Sequence, residues 1–354
     1  MKNLWSKHCQ GLTPYVAGEQ PRGRTFIKLN TNENPYPPSP KVIEAIRREA
    51  GESLRLYPDP TCASLREAIG ETFGVQPDQV FVGNGSDEVL ALAFRAFFDE
   101  NRPIRFPEIS YSFYPVFCDF YGLCYETVPL NPDFSIPLAP FLEKCGGVVL
   151  ADPNAPTSKT MDFDDLTAVI KADPDRVVIV DEAYVDFGAR SAVELMDRCP
   201  NLLVVRTFSK SGALAGLRVG YALGSAHLIE GLNRVKDSFN SYPVDRLAQA
   251  GAEAAIRDGD YYREITDRII ATRARTAGRL EELGFTVCES RANFLFARFP
   301  GIPGKTLLDG LRERGILVRW WGKPGISDYL RISVGTDGDM EALCRALEEL
   351  TKAQ

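Results

Sequence analysis

The chain has 354 residues, 44% of them hydrophobic, which is enough to bury a large core and predicts one large and one smaller folding unit. Its formal net charge is -7 and it has no basic block, which argues against nucleic acid or an anionic membrane surface as the main partner and favours small molecules. The leading segment MKNLWSKHCQGLTPY has no apolar signal core, and no apolar run reaches the roughly twenty residues of a membrane span. We therefore expect a cytoplasmic protein.

The cysteine and histidine content argues against several kinds of chemistry. The eight cysteines form no C-x-x-C pair and do not cluster with histidine, so we expect no metal site and thiols of a reducing compartment. His8 and His227 are the only imidazoles, and neither lies in a motif. A hydrolase that uses a histidine base is therefore not expected.

The elements predicted along the chain fall into an arm and two domains. Residues 1–34 are rich in Pro, Gly and polar residues, which predicts an arm rather than a core element. Residues 35–245 form the predicted large domain, because short apolar runs alternate there with helical patterns, as in parallel strands joined by crossover helices. Residues 246–354 combine amphipathic helices with short strand-like pieces, which predicts a small α+β domain. The predicted class is α/β, with a mostly parallel sheet flanked by helices and a smaller α+β domain.

Four apolar runs end in polar loops, and in open α/β sheets ligands bind beyond the carboxyl ends of the strands. The runs are VFVG at 80–83, GVVLAD at 147–152, VVIVD at 177–181 and LLVVRT at 202–207. The first loop, GNGSDE, precedes an apolar helix, so free backbone N–H groups at the helix start can bind an anion. The alternative is a turn in which Ser86 or Asp87 caps the helix. The loop lacks the complete fingerprints of dinucleotide and nucleoside triphosphate loops, which favours a single phosphate.

Asp181 stands at the end of a fully apolar strand, where an ionised carboxylate needs a cation or hydrogen-bond donors. A pyridinium nitrogen is one such partner, and the pair would keep that nitrogen protonated. An aspartate that caps the following turn is the alternative. Tyr184, three residues later, is either a donor to a ring oxygen or a packed core tyrosine.

Lys210 follows the run LLVVRT in a stretch of small residues, SGALAGLRVGYALG. A partly desolvated lysine is a nucleophile that forms imines with aldehydes, although most lysines are solvated surface residues. Arg218, eight residues on, can reach the same phosphate as Ser209. In the loop DPNAPTS, Asn154 offers a donor to a phenolate oxygen, or simply belongs to a Pro/Asn turn.

With these loops in this order, the sequence resembles the fold-type I aminotransferases that use pyridoxal 5'-phosphate (PLP), and most closely the histidinol-phosphate aminotransferases. The resemblance covers nearly the whole chain. It is carried by KLNTNENPYPPSP, LYPDPTCASLREAI, VGNGSDE, DPNAPT, VDEAYVDF, RTFSKSGALAGLRVGYALG and LRISVGT.

The resemblance implies Lys210 as the lysine that holds PLP as a Schiff base and moves the proton, and Asp181 on the pyridine nitrogen. It further implies Asn154 and Tyr184 on the ring oxygen, Tyr111 stacked on the ring, and Gly85, Ser86, Asp87, Ser209 and Arg218 around the cofactor phosphate. Asp87 is expected to act through its backbone N–H, because its carboxylate would repel a phosphate. Tyr57 is implied to reach that phosphate from the neighbouring subunit of a homodimer.

For the substrate, the resemblance implies Arg331 on an acidic group and Arg319 and Tyr15 around a substrate phosphate. Asn154 is also expected to contact the substrate. The alternative for both arginines is a surface position in a strand of the small domain. Trp320 and Trp321 stand where that family is usually polar, which would favour an aromatic amino acid.

The implied reaction is transamination between L-histidinol phosphate and 2-oxoglutarate. The rivals are an aromatic amino-acid aminotransferase, a PLP decarboxylase of a phosphorylated amino acid, and a binding protein that has lost catalysis. The segment LNTNENP favours transamination over decarboxylation. Because Lys210 and Asp181 are both present, the non-catalytic alternative is disfavoured.

Overall fold

The computed structural model describes residues 4–16, 18–20 and 25–352. Its α-helices are α1 (Lys7–Gly11), α2 (Pro40–Glu49), α3 (Ala63–Phe73), α4 (Gly85–Phe97), α5 (Phe113–Tyr121), α6 (Ala139–Leu142), α7 (Phe163–Lys171), α8 (Ala226–Phe239), α9 (Arg246–Arg257), α10 (Gly259–Glu282), α11 (Gly304–Glu313) and α12 (Asp337–Lys352). Several begin at a residue whose side chain accepts from the first free N–H groups, as Asp162 does before α7 and Asp245 before α9. In the part of the chain described, no helix combines the length and apolar character needed to cross a bilayer.

The larger sheet has seven strands in the order β2-β8-β7-β6-β5-β3-β4. They are β2 (Val80–Gly83), β3 (Ile104–Pro107), β4 (Tyr125–Val128), β5 (Gly147–Ala151), β6 (Val178–Asp181), β7 (Leu202–Thr207) and β8 (Gly220–Gly224). Strands β3 to β7 pair in parallel, and β8 pairs antiparallel with both β7 and β2. The central strands are buried along their full length, because one apolar cluster covers each face of the sheet. The predicted α/β class with a mostly parallel sheet is confirmed.

The smaller sheet has five strands in the order β1-β11-β12-β10-β9. They are β1 (Ile27–Leu29), β9 (Thr286–Val287), β10 (Phe294–Arg298), β11 (Ile316–Trp320) and β12 (Leu330–Ser333). Strand β1 pairs in parallel with β11, whereas the other neighbours are antiparallel. This corrects the expectation that residues 1–34 contain no core element, since Leu29 belongs to the apolar cluster of this sheet. The domain boundaries at 34/35 and 245/246 stay predictions.

Candidate active site

Eleven of the predicted site residues line one cavity of about 310 Å³ between the large sheet and strands β11 and β12. They are Tyr15, Ser86, Asp87, Tyr111, Asp181, Tyr184, Ser209, Lys210, Arg218, Arg319 and Arg331. The last residues of β5, β6 and β7, which are Ala151, Asp181 and Thr207, line it, as expected for a ligand site at the carboxyl ends of the strands of an open α/β sheet.

One end of the cavity is built as a cradle for an anion. Helix α4 begins at Gly85, and the side chain of Asn84 does not cap it but donates to Pro243 O at 2.9 Å. The Arg218 guanidinium lies against Gly85, where a Cβ atom would come within 2.5 Å of Nη2. Arg218 also donates to Ser209 Oγ at 3.3 Å. Backbone N–H groups, a hydroxyl and a guanidinium therefore converge at one helix start, the donor set that suits a phosphate.

The carboxylate of Asp87 joins this cradle to an aromatic wall. Its Oδ2 lies 3.4 Å from Arg218 Nη2, and its Oδ1 accepts from the Tyr111 hydroxyl at 2.7 Å. Burial first, and then the negative charge of Asp87, raises the pKa of Tyr111 well above its usual value. Tyr111 therefore stays a neutral donor with a fixed ring orientation.

Asp181 lies on the cavity floor with only 5% of its surface exposed. Burial raises the pKa of its carboxyl to about 6. Two donors oppose that effect: the Ala183 N–H at 3.2 Å and the Tyr114 hydroxyl at 2.9 Å. The sequence reasoning missed Tyr114, which stands three residues after Tyr111 in an aromatic helix and could have been singled out only as another core residue.

Lys210 projects its amine into the cavity from the loop after β7. Its Nζ donates to Thr31 O at 3.2 Å and lies 5.6 Å from the centre of the Tyr184 ring. The same segment also holds the backbone of the loop, because Asn34 Nδ2 donates to Lys210 O at 3.0 Å. The segment after β1 therefore covers the lysine, a contact between residues about 180 positions apart that no local pattern indicates.

The opposite end of the cavity holds two arginines side by side. Arg319 in β11 and Arg331 in β12 are directly paired residues of an antiparallel ladder. The two guanidinium carbons lie 5.4 Å and 5.2 Å from the ring centre of Trp321. Burial, and also the positive charge of Arg319, lowers the pKa of Arg331, whose Nε finds no hydrogen-bond partner among the described residues. Tyr15 lines the same end, stacked on Phe113 with ring centres 4.4 Å apart.

Two predicted site residues are placed differently. Asn154 is fully buried behind the cavity wall, where its Oδ1 accepts from Ser110 and its Nδ2 donates to Ile109 O and Thr157 Oγ1. Both amide hydrogens are thus used within the chain. Tyr57 is 79% exposed and stacks on Tyr242, with ring centres 4.7 Å apart, at a surface outside the cavity. The roles assigned to both stay predictions.

Comparison with known proteins places these features in a family. The model for "Aminotransferase class I and II" matches residues 24–347. A histidinol-phosphate aminotransferase of Chromohalobacter salexigens is 54% identical over 99% of this chain and 100% of that protein. Histidinol-phosphate aminotransferase 2 of Thiobacillus denitrificans is 55% identical over 98% and 97%. Among solved structures, a histidinol-phosphate aminotransferase from Sinorhizobium meliloti in complex with pyridoxal-5'-phosphate superposes with a TM-score of 0.89, at 27% identity over 100% of this chain and 99% of that one.

Proposed function

The chain belongs to the class I and II aminotransferases, and from that membership we propose that it transfers the amino group of L-histidinol phosphate to 2-oxoglutarate. The products are imidazole acetol phosphate and glutamate, in a step of histidine biosynthesis. The observation that carries the substrate assignment is the pair of arginines, Arg319 and Arg331, facing each other at one end of the cavity. The cofactor of the enzyme is PLP.

The residues of the cavity fit this cofactor. Helix α4 and Arg218 leave space for a phosphate only because residue 85 is glycine, since a Cβ atom there would contact the guanidinium. Asp181 is a buried carboxylate that needs a positive partner, and a protonated pyridine nitrogen supplies one. The primary amine of Lys210 lies in the same cavity. Lys210 belongs to the loop after β7, the strand that pairs with the strand of Asp181.

When bound, PLP supplies an aldehyde that condenses with amines and a ring that withdraws electrons from the carbon next to the nitrogen. Lys210 is the base placed to take the proton from the substrate carbon that bears the amine, and Thr31 O holds its amine at the cavity. Asp181 would pair with the protonated ring nitrogen, and Tyr111 would stack on the ring from the cavity wall. The cradle formed by Gly85, Ser86, Asp87, Ser209 and Arg218 would fix the cofactor phosphate, and Tyr184 and Asn154 would serve the ring oxygen.

At the substrate end, two like charges directly opposite each other on adjacent strands repel, and an anion between them relieves the repulsion. A phosphate dianion offers enough acceptors for both guanidinium groups, and Tyr15 adds a hydroxyl. Trp321 contacts both cations through its ring face and brings no negative charge that would compete with the ligand.

The aromatic alternative receives no support from the two tryptophans. Trp320 is directed into the small-sheet core, where its Nε1 donates to Ser327 O at 2.7 Å. The ring face of Trp321 is covered by the guanidinium groups of Arg319 and Arg331. Neither indole therefore offers a free apolar pocket for a phenyl or indole side chain.

We also infer a homodimer with a shared active site, in the cytoplasm. Tyr57 is exposed and does not line the cavity of its own chain. It stacks on Tyr242, and Leu54 and Leu56, its neighbours in sequence, are exposed apolar side chains as well. All eight cysteines lie within the described residues and are free thiols, as expected of a reducing compartment.

The test is a half-reaction titration of the PLP-loaded protein. L-histidinol phosphate, L-phenylalanine and L-glutamate are added separately, and amination of the cofactor is followed by its absorbance. We expect histidinol phosphate to act at far lower concentration than phenylalanine. The opposite order would move the substrate to aromatic amino acids, and no amination by any of the three would exclude transamination.

A further inference from the structure

Tyr114 lies beneath the cavity floor, in α5, and is fully buried. Its ring packs among aromatic neighbours, with ring centres 5.7 Å from Phe106 and 5.6 Å from Tyr111. Its hydroxyl donates to Asp181 Oδ2 at 2.9 Å, and within the described residues this is the only hydrogen bond that the hydroxyl makes. A polar group has thus been brought into an apolar cluster and directed at one carboxylate.

Packing alone does not explain this hydroxyl. A phenylalanine would fill the same aromatic cluster without burying an oxygen, and burying a hydroxyl is unfavourable unless it is hydrogen-bonded. The bond to an ionised carboxylate is of the stronger, charge-assisted kind. The benefit of the hydroxyl therefore lies in what it does to Asp181.

We propose that Tyr114 is a positioning residue that fixes the Asp181 carboxylate and keeps it ionised, so that Asp181 can hold the ring nitrogen of PLP protonated. The inference rests on the proposed function, because it needs PLP in the cavity.

The charges around Asp181 show why this donor matters. Burial disfavours the ionised carboxylate, and the negative charge of Asp87 in α4 adds to that effect. Three groups favour the ionised carboxylate: the Tyr114 hydroxyl, the Ala183 N–H and the more distant charge of Lys210. Tyr111 and Tyr184 are the other titratable groups near Tyr114, and burial holds the pKa of Tyr111 well above its usual value. Removing one of so few stabilising contacts shifts Asp181 toward its neutral form, which cannot hold a pyridinium.

The experiment compares wild-type protein with Tyr114→Phe after loading with PLP labelled with ¹⁵N in the ring. The ¹⁵N chemical shift reports protonation of the ring nitrogen as a function of pH. We expect the nitrogen of Tyr114→Phe to lose its proton about one pH unit lower, and PLP to bind about tenfold more weakly. The matched control is Tyr262→Phe, which removes the hydroxyl of a half-buried tyrosine that accepts from Ser39 N–H and does not line the cavity, and which should leave both quantities unchanged.

A second background, Asp181→Asn, tests whether Tyr114→Phe acts through the Asp181 carboxylate or disturbs the cavity in general. In that background Tyr114→Phe should change neither the ring-nitrogen titration nor PLP affinity further. An equal change in both backgrounds, or a Tyr114→Phe titration that coincides with wild type, would overturn the inference whatever happens to the rate. If wild-type protein bound no PLP, the proposed function would fall together with the inference, so the two failures are distinguishable.

Discussion

Arg319 is the residue on which phosphate recognition can be tested most directly. Its guanidinium lies beside that of Arg331. Among the described residues Arg331 donates to the Asn30 carbonyl and to no carboxylate, so a phosphate dianion can form charge-assisted hydrogen bonds with both arginines. We expect Arg319→Gln to lower kcat/KM for L-histidinol phosphate by about 10- to 100-fold, the effect of losing one charge-assisted hydrogen bond. Kinetics with L-histidinol, which lacks the phosphate, should change by less than about threefold.

The control for this prediction is Arg314→Gln, which removes an arginine at the end of α11, just before β11, that pairs with Glu349 of α12 at 3.2 Å. It should leave both substrates unaffected. Equal losses for histidinol phosphate and histidinol in Arg319→Gln would contradict a phosphate contact and assign the arginine to packing.

At the same scale, the sequence indicated residues that carry a motif and missed those that act through distant contacts. Lys210, Asp181 and Arg218 follow strands in recognisable loops, so their convergence could be predicted. Tyr114 meets a partner 67 positions away, and Thr31 meets Lys210 across 179 positions. Such pairings depend on how helices and arm pack onto the sheet, which spacing along the chain does not encode.

Among the elements, the junction of α4 and β8 determines the shape of the anion cradle, which we propose holds the cofactor phosphate. Gly220, the first residue of β8, is in contact with the backbone of Gly85 and Ser86, and a Cβ atom there would fall on the Ser86 amide nitrogen. Because backbone must move to admit it, we expect Gly220→Ala to weaken PLP binding by at least about tenfold. An absorbance titration of the protein with PLP measures this.

Gly216→Ala is the matched control, since it lies four positions earlier and its Cβ atom would meet nothing within 4 Å. Its PLP affinity should equal that of wild type. If both variants lost affinity alike, the loop as a whole and not the contact at Ser86 would be responsible.

The elements also show which parts of the fold a sequence can predict. Strands β2, β5, β6 and β7 were expected within a residue or two, because continuous Val and Leu runs are typical of strands buried on both faces. Strand β8, GYALG, was not predicted, since its small residues give no such run; it is a strand because two neighbours supply its hydrogen bonds. Strand β1 is only three residues long and depends on β11, about 290 positions away.

At the scale of the whole molecule, the inferred dimer predicts that two defective proteins restore each other. Lys210→Ala removes the amine that we propose as the catalytic base, and Tyr57→Ala removes a side chain that would serve the cavity of the neighbouring subunit. In a mixed dimer one site then contains both defects and the other contains neither. After the two proteins are unfolded together and refolded, random pairing should restore about a quarter of the wild-type sites. A tag on one variant verifies that mixed dimers form. If their activity stays at the mean of the two separate proteins, Tyr57 lies outside the neighbour's site and each cavity is complete within its own chain.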